Sequence, residues 1–133
     1  SEKCRYKLSW LEEFRNYLAQ ELRTHSHLVW LGDINIARHP LDVHNSPRAL
    51  GGVGHHPQEF ERLDAVLQLG LTDAFRHFTA EGGHYTFWEF VDRRAFDANR
   101  GWRIDHIYLN PQLLNQCTNC WIDRSLRALE QPE

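Results

Sequence analysis

The chain has 133 residues, 41% of them hydrophobic, which is enough for one modest domain with its own core and too little for two. The 18 Asp and Glu residues outnumber 15 Lys and Arg, and the formal net charge of -3 excludes DNA binding by bulk positive charge, so a local basic patch would have to serve. No apolar run approaches the roughly 18 residues of a membrane span, residues 1–30 lack the layout of a signal peptide, and the three cysteines are typical of a reducing compartment. We expect an intracellular protein without a membrane partner, most simply in a bacterial cytoplasm. The start at Ser1 and the lack of methionine fit a segment of a longer polypeptide.

The first half of the chain predicts a helix, a strand, a long loop and a second helix. Apolar residues at helical spacing predict an amphipathic helix over 7–24, and the apolar run Leu28–Leu31 predicts a buried strand. Residues 37–56, rich in glycine, proline and histidine, predict a loop of a length that is more often functional than idle. A second helix is predicted to begin near Pro57 and to end at Gly70.

The second half predicts strands separated by a loop that contains arginines. An aromatic strand is expected over Tyr85–Val91, followed by a loop from Asp92 to Gly101 and a strand over Trp102–Leu109. A last β-like stretch covers about 116–127. Helices and strands intermixed in this way indicate one α/β layered domain.

The strongest candidate site directly follows the first predicted strand, in the run Gly32-Asp33-Ile34-Asn35. Side chains two apart at a strand end aim into the same space. A carboxylate there can orient and deprotonate water, and an amide can donate to a phosphoryl oxygen that gains charge in the transition state. Taken alone, the run also fits an ordinary turn, because Gly, Asp and Asn dominate turns.

A second candidate lies in the strand that begins at Trp102. Alternation predicts Trp102, Ile104 and His106 on one face, with Arg103 and Asp105 on the other. A carboxylate at the mouth of a strand can hold an imidazole in one tautomer and stabilise its protonated form. The simpler interpretation is a half-buried strand with a surface pair between Arg103 and Asp105.

The aromatic strand favours core packing for Trp88 and Phe90, whereas Phe87 lies on the alternate face and can line a pocket.

Cys117 and Cys120 have the spacing of a zinc or redox motif, but no second Cys/His pair stands out, so structural cysteines are expected. Solvated loop positions are expected for the histidines His25, His27, His55 and His56. The local basic concentration is expected to be a solvated loop, with phosphate contact as the alternative; it comprises Arg93, Arg94, Arg100 and Arg103.

Together these motifs resemble, in order and spacing, those of exodeoxyribonuclease III and the related abasic-site endonucleases of the endonuclease/exonuclease/phosphatase superfamily. The resemblance covers nearly the whole chain, up to Pro132. It rests on the runs Gly32-Asp33-Ile34-Asn35, Leu71-Thr72-Asp73-Ala74-Phe75-Arg76, Tyr85-Thr86-Phe87-Trp88 and Gly101-Trp102-Arg103-Ile104-Asp105. It implies part of a DNase I-like α/β sandwich, with one sheet and its flanking helices.

The resemblance also implies roles for single residues. Asp33 is similar to the residue that activates or orients the attacking water, Asn35 to the one that hydrogen-bonds the scissile phosphate, and both are expected near the metal. Asp105 resembles the partner of the catalytic histidine. Four further positions resemble substrate contacts: Phe87, Trp102 and Ile104 as the apolar pocket for a flipped-out baseless sugar, and Asn45 as a DNA-contacting asparagine. An apolar slot suits an abasic deoxyribose, which has little to hydrogen-bond.

The function implied is Mg²⁺- or Mn²⁺-dependent hydrolysis of the phosphodiester 5′ to abasic sites in double-stranded DNA, with exonuclease action at 3′ ends. The resemblance aligns residues 1–133 with the C-terminal half of such an enzyme, ending just before the expected Ser-Asp-His box. The main metal ligands would lie in the N-terminal half, so the chain alone is expected to be inactive. That half, or self-association, is expected to cover the exposed side of the sheet.

Two other functions remain open from the sequence. One is a non-catalytic half-domain that binds DNA or a protein partner, against which the joint presence of Asp33, Asn35 and Asp105 argues. The other is a superfamily phosphodiesterase or phosphatase acting on another substrate, against which the pocket around Trp102 argues.

Overall fold

The computed structural model describes residues 1–129, which form an α/β domain, as predicted. The six helices of this part of the chain are Glu2–Thr24 (α1), Ser46–Ala49 (α2), Pro57–Leu67 (α3), Ala74–Phe78 (α4), Arg94–Asp97 (α5) and Pro111–Leu114 (α6). Its five strands are Val29–Asp33 (β1), Thr72–Asp73 (β2), Phe87–Trp88 (β3), Gly101–Trp102 (β4) and Asp105–Leu109 (β5), and a short 3₁₀ turn covers Pro40–Asp42. None of the helices in residues 1–129 combines the length and apolar character needed to cross a bilayer.

The strands form two antiparallel ladders. β5 lies at the centre of a three-stranded sheet in the order β1-β5-β2, and β3 pairs with β4 in a separate two-stranded ladder. The prediction of one continuous strand over Trp102–Leu109 was therefore wrong. The chain leaves one ladder after Trp102, passes through Arg103 and Ile104, and enters the other at Asp105. Between the ladders, the Arg103 amide donates to the Asp42 carbonyl and the Ile104 amide donates to the Thr86 hydroxyl, so neither amide pairs with a strand.

One face of the three-stranded sheet is packed beneath α1 and α3. Its centre is Trp30, whose ring lies 4.8 Å from that of Phe14 and 5.0 Å from that of Tyr108. Leu11 and Leu18 of α1 pack into the same core. α1 begins five residues earlier than predicted, because the Ser1 hydroxyl accepts a hydrogen bond from the Cys4 amide and so caps the helix.

The opposite face of this sheet is uncovered. Val29, Leu31 and Ile107 are exposed to 46%, 64% and 41%, although all three are apolar. Leu31 lies opposite Ile107 in the ladder, and Asp33 lies opposite Asp105 two positions along. The face is thus an apolar surface that ends in a pair of carboxylates.

Two predictions for the second half of the chain were wrong. Of the aromatic strand predicted over Tyr85–Val91, only β3 pairs, and Phe90 is 58% exposed instead of packing in the core as Trp88 does. The stretch 116–127 forms no strand. It is held by arginines stacked on aromatic rings, with Arg127 lying 3.9 Å above Phe90. The expected Ser-Asp-His box would follow Pro132, which lies outside the described residues.

Candidate active site

A cavity of about 790 Å³ opens where the end of β1, the long loop after it and the β3–β4 ladder meet. The structure brings together six of the seven site residues predicted from the sequence, because Asp33, Asn35, Asn45, Phe87, Trp102 and Ile104 all line this cavity. The seventh, Asp105, lies beside it on the uncovered sheet face.

Asp33 and Asn35 reach the cavity through a tight turn. The amide of Asn35 donates to Asp33 Oδ1 at 2.9 Å, and both Ile34 and Asn35 donate to the carbonyl of Ile104. Asn35 has a φ of +55°, a conformation that asparagine tolerates better than most residues. Lys7 of α1 donates to the Asn35 carbonyl at 2.6 Å. The sequence run is therefore both a turn and a cavity wall.

Asp105 lies across the ladder from Asp33, and its side chain is exposed. Directly opposite residues of an antiparallel pair have Cα atoms about 4.5–5.5 Å apart, and like charges there repel. The Thr86 hydroxyl accepts hydrogen bonds from the amides of Ile104 and Asp105, at 3.0 and 3.2 Å, which fixes the start of β5. The two carboxylates are held as neighbours, in a position that attracts a cation.

The apolar wall is built on the β3–β4 ladder, where Phe87 pairs with Trp102. Val43 forms a bridge to Trp102 and Ile104 packs beside it, so that these side chains make one small cluster. Ile104 is 9% exposed. Such a wall can hold a ligand part that has no hydrogen-bonding groups.

The loop over 37–56 supplies the polar rim, which sequence reasoning predicted only at Asn45. The Asn45 side chain accepts a hydrogen bond from the Arg48 amide and begins α2. His44 and Arg48 also line the cavity and were missed, since the only signal for them was the length of the loop.

The prediction that His55 is solvated was wrong. It is 1% exposed, with Nδ1 2.7 Å from the Ala37 carbonyl and Nε2 2.8 Å from the Ser46 hydroxyl, and so it fastens this loop.

The predicted basic concentration divides into two environments. Arg94 and Arg100 both pair with Asp92, and the hydrogen bond from Arg94 is the main cause that lowers the pKa of the Asp92 carboxyl. Arg100 and Asp92 line the cavity, and the single carboxylate of Asp92 is shared between Arg94 and Arg100. Arg103 is only 2% exposed, so both earlier interpretations of it, a surface pair with Asp105 and a phosphate contact, were wrong.

Arg103 instead joins Asp42, Asp73 and Arg76 in a buried ion network. Burial by itself would raise the pKa of Asp42, but hydrogen bonds and charge from Arg103 and Arg76 outweigh it and hold that pKa below its ordinary value. Burial would likewise lower the pKa of Arg103, and its bonds to Asp42 and Asp73 raise it instead. Asp42 and Arg103 are therefore both charged at neutral pH.

His106 is not part of the cavity wall. It is 4% exposed, and its Nε2 lies 2.7 Å from the Ile36 carbonyl, so Nε2 carries the proton and donates to it. Burial lowers the pKa of His106, and the charge of Arg103 adds to this effect. His106 is a neutral support behind the turn that carries Asn35.

The donor chemistry at the mouth of the cavity fits a hard cation in part. Asp33, Asn35 and Asp105 offer oxygen donors, which Mg²⁺ and Mn²⁺ prefer. Across residues 1–129 there is no group of three or more His, Cys, Asp or Glu side chains arranged for a metal ion. These residues can supply some of the ligands of a cation that keeps water or phosphate oxygens, and they do not form a complete cage.

Comparison with protein families decides what this arrangement belongs to. The model described as the endonuclease/exonuclease/phosphatase family matches residues 2–125. The chain belongs to this family. The match includes the Asp33 turn, the apolar wall and Asp105.

Individual relatives narrow the resemblance to DNA repair nucleases. The chain is 34% identical over 110 residues to the DNA repair nuclease APEX1 of Danio rerio, covering 82% of this chain and 35% of the relative. It is 31% identical over 116 residues to an exodeoxyribonuclease of Bacillus subtilis, covering 86% and 45%. The solved structure of an AP endonuclease from Archaeoglobus fulgidus superposes with a TM-score of 0.90 at 34% identity, covering 99% of this chain and 51% of that one. The chain thus spans about half or less of the length of these proteins, and the predicted resemblance to exodeoxyribonuclease and abasic-site endonucleases is confirmed.

Proposed function

We propose that this chain carries part of the active site of a metal-dependent nuclease that hydrolyses the phosphodiester 5′ to abasic sites in double-stranded DNA and acts on 3′ ends. The observation that carries the proposal is the single cavity shared by a carboxylate, an amide and an apolar slot, at Asp33, Asn35 and Trp102. Relatives named as DNA repair nuclease, exodeoxyribonuclease and AP endonuclease support the same substrate class.

Asp33 is proposed to orient the attacking water and accept its proton as the oxygen bonds to phosphorus. Its Oδ1 accepts a hydrogen bond from the backbone N–H of Asn35, which fixes the rotation of the carboxylate and leaves Oδ2 for water. The Asn35 side chain lines the same cavity and can donate to a phosphoryl oxygen that gains charge in the transition state. Asp105 is proposed to orient the imidazole of a catalytic histidine supplied from outside residues 1–129.

A divalent cation, Mg²⁺ or Mn²⁺, is proposed as the cofactor. Asp33 and Asn35 are its proposed ligands in this chain, with the main ligands in the N-terminal half that the resemblance implies. When bound, the cation would offset charge on the phosphate and the leaving oxygen. It would also relieve the repulsion between Asp33 and Asp105, which face each other in the ladder.

The apolar slot is proposed to select the substrate. An abasic deoxyribose that rotates out of the duplex can lie against Phe87, Trp102 and Ile104, which line the cavity. These side chains are proposed to accept the baseless sugar in preference to a nucleotide that keeps its base. Asn45, exposed at the rim, is proposed to contact the DNA backbone.

The uncovered face of the sheet is proposed to meet the N-terminal half or a second copy of this chain. Val29, Leu31 and Ile107 present an apolar surface beside Asp33 and Asp105, so whatever covers the face also approaches the catalytic carboxylates. Apolar surfaces of this kind commonly mark interfaces.

The test is single-turnover incision of a labelled duplex that contains one abasic analogue, using the full-length protein with Mg²⁺. Asp33→Asn removes the proton acceptor and should lower the rate about 100-fold or more, with little change in DNA affinity. Asp64→Asn is the matched control, because Asp64 pairs with Arg38 outside the cavity and should leave the rate unchanged. Equal rates for native protein and Asp33→Asn would refute the assignment.

A further inference from the structure

Arg103 lies between the two walls of the cavity without touching the cavity itself. Its neighbours in sequence, Trp102 and Ile104, form the apolar wall, while the residues after its partner Asp42 lead into the polar rim at His44 and Asn45. The side chain of Arg103 therefore connects the two segments whose separation sets the width of the cavity.

Two forked pairs hold the Arg103 side chain, and the pair with Asp42 makes the connection to the rim segment. Arg103 donates through Nε to Asp42 Oδ1 at 2.8 Å and through Nη2 to Asp42 Oδ2 at 3.2 Å. It donates through Nη1 and Nη2 to the Asp73 carboxylate at 3.2 and 2.6 Å. Its backbone amide also donates to the Asp42 carbonyl at 2.8 Å. Asp42 is 1% exposed, and it accepts a further bond from Arg76.

Two backbone contacts extend this connection to the rim. The His44 amide donates to the Gly101 carbonyl at 3.1 Å, and Val43 bridges Trp102. These contacts flank the side-chain pair between Asp42 and Arg103 on the cavity side. Movement of Asp42 away from Arg103 would therefore move the rim away from the tryptophan.

Stability alone does not account for such a network. Removing an arginine and two carboxylates from water is costly, and well-packed apolar residues of similar volume often serve stability as well or better. A forked arginine differs from an apolar side chain in fixing two partners in one plane and at one distance. The geometry here places that property between the two walls.

We propose that Arg103 is a positioning residue that fixes the separation of the cavity walls and thereby sets which ligand the slot admits. The second part rests on the proposed function, and the first does not. Lysine cannot replace the fork, because it carries the charge without the planar pairs of donors. Arg103→Lys should therefore loosen the rim while leaving Asp33 and Asn35 in place.

The first arm of the test is amide hydrogen exchange on the full-length protein, which needs no activity. In Arg103→Lys, exchange over residues 41–47 should be about tenfold faster, as expected for the loss of about one charged hydrogen bond. Exchange in β1 should be unchanged. Arg38→Lys is the control, because Arg38 also makes a forked pair, with Asp64 at 2.7 and 2.7 Å, at a more exposed place that does not line the cavity.

The second arm measures selectivity as the ratio of kcat/KM for an abasic duplex to that for an intact duplex. Arg103→Lys should lower this ratio about tenfold, the scale of a pocket contact, through KM for the abasic substrate more than through kcat. Arg38→Lys should preserve the ratio. A native protein with no preference for abasic DNA would refute the proposed function, while the exchange arm would still decide whether Arg103 positions the rim.

Asp73→Asn guards against a variant that fails to fold. Asparagine caps helices as well as aspartate does, so residue 73 can still accept the hydrogen bond that the Arg76 amide donates at the start of α4, while one fork of Arg103 is weakened. In Asp73→Asn, exchange over residues 41–47 should be faster and the selectivity ratio lower than in the native protein, and both changes should be smaller than in Arg103→Lys. Native exchange over 41–47 in both variants, or an equal increase in β1, would overturn the positioning role, and unchanged selectivity with a loosened rim would overturn its consequence for the ligand.

Discussion

On one face of the three-stranded sheet, Trp30, His106 and Tyr108 are almost fully buried beneath two helices, whereas on the other face Leu31 and Ile107 are open to solvent. Neighbours in the chain therefore occupy opposite environments, because side chains alternate along a strand. The packed face explains why the domain holds together. The uncovered face ends in Asp33 and Asp105, the two carboxylates that are proposed to act in catalysis.

The two faces of the three-stranded sheet also differ in the kinds of side chain that they carry. The packed face is filled by aromatic rings, and its one imidazole is kept neutral and hydrogen-bonded to Ile36. The uncovered face combines an exposed apolar surface with two carboxylates at facing positions. Facing carboxylates repel each other, and exposed apolar patches are uncommon on isolated soluble domains. This combination is expected of a surface that is completed by another piece of protein, a cation and a substrate.

The largest expected effect of a single substitution on stability is at Trp30, on the packed face of the sheet. In the full-length protein, Trp30→Ala removes a ring packed between Phe14 and Tyr108 and should lower the free energy of unfolding by about 3–5 kcal/mol. Leu31→Ala should cost about 2 kcal/mol or more if the uncovered face is buried by another segment. Chemical denaturation measures both.

Leu50→Ala is the matched control, since Leu50 is 57% exposed outside the sheet and its loss should change the free energy of unfolding by no more than about 0.5 kcal/mol. A cost for Leu31→Ala as small as that of the control would mean that the uncovered face stays open in the full-length protein.

A smaller effect is expected in the pH dependence of stability, to which His106 on the packed face contributes. Burial and the charge of Arg103 lower the pKa of His106, opposed by Asp42 and Asp73, so the folded state binds this proton less well than the unfolded state does. The contribution of His106 to stability is therefore full above the unfolded-state pKa of about 6.5 and is lost as the pH falls below it.

We expect the free energy of unfolding of the full-length protein to fall between about pH 7.5 and about pH 5, and the fall to be smaller in His106→Gln. Glutamine keeps a donor for the Ile36 carbonyl and does not titrate. His27→Gln, at an exposed position, should leave the slope as it is. A slope unaffected by His106→Gln would show that the packed face does not respond to this imidazole.

Much of the fold could be predicted because local patterns agree with tertiary packing in the first half. The apolar spacing of Leu11 and Leu18 gave α1, and Pro57 marks the first residue of α3 as expected. Helix bounds missed the first turn of α1, since a cap at Ser1 depends on one hydroxyl and not on periodicity. The short helices α2, α4, α5 and α6 were also missed, and α2 and α5 lie within stretches that were predicted to be loops, because about one turn of helix has no period to detect.

The lining of the cavity could be predicted where its residues are close in sequence, and not where their placement depends on long-range pairs. Asp33 and Asn35 are two positions apart, and the aromatic wall follows a strand pattern. Arg103 was misassigned because its partner Asp42 is 61 positions away, and nothing in the alternation of residues 102–109 signals a strand that changes ladders. His55 was misassigned likewise, since its burial depends on the folded path of the long loop.

The most direct test of the account is to mix residues 1–133 with the separately expressed N-terminal half that the resemblance implies, and to follow light scattering and incision of an abasic duplex in parallel. We expect residues 1–133 alone to give no Mg²⁺-dependent incision above background and to self-associate, because the uncovered face exposes Val29, Leu31 and Ile107. On mixing, a one-to-one complex should form and incision should appear, and Asp33→Ala should abolish it. A strictly monomeric, cooperatively melting chain that gains no activity on mixing would contradict the account.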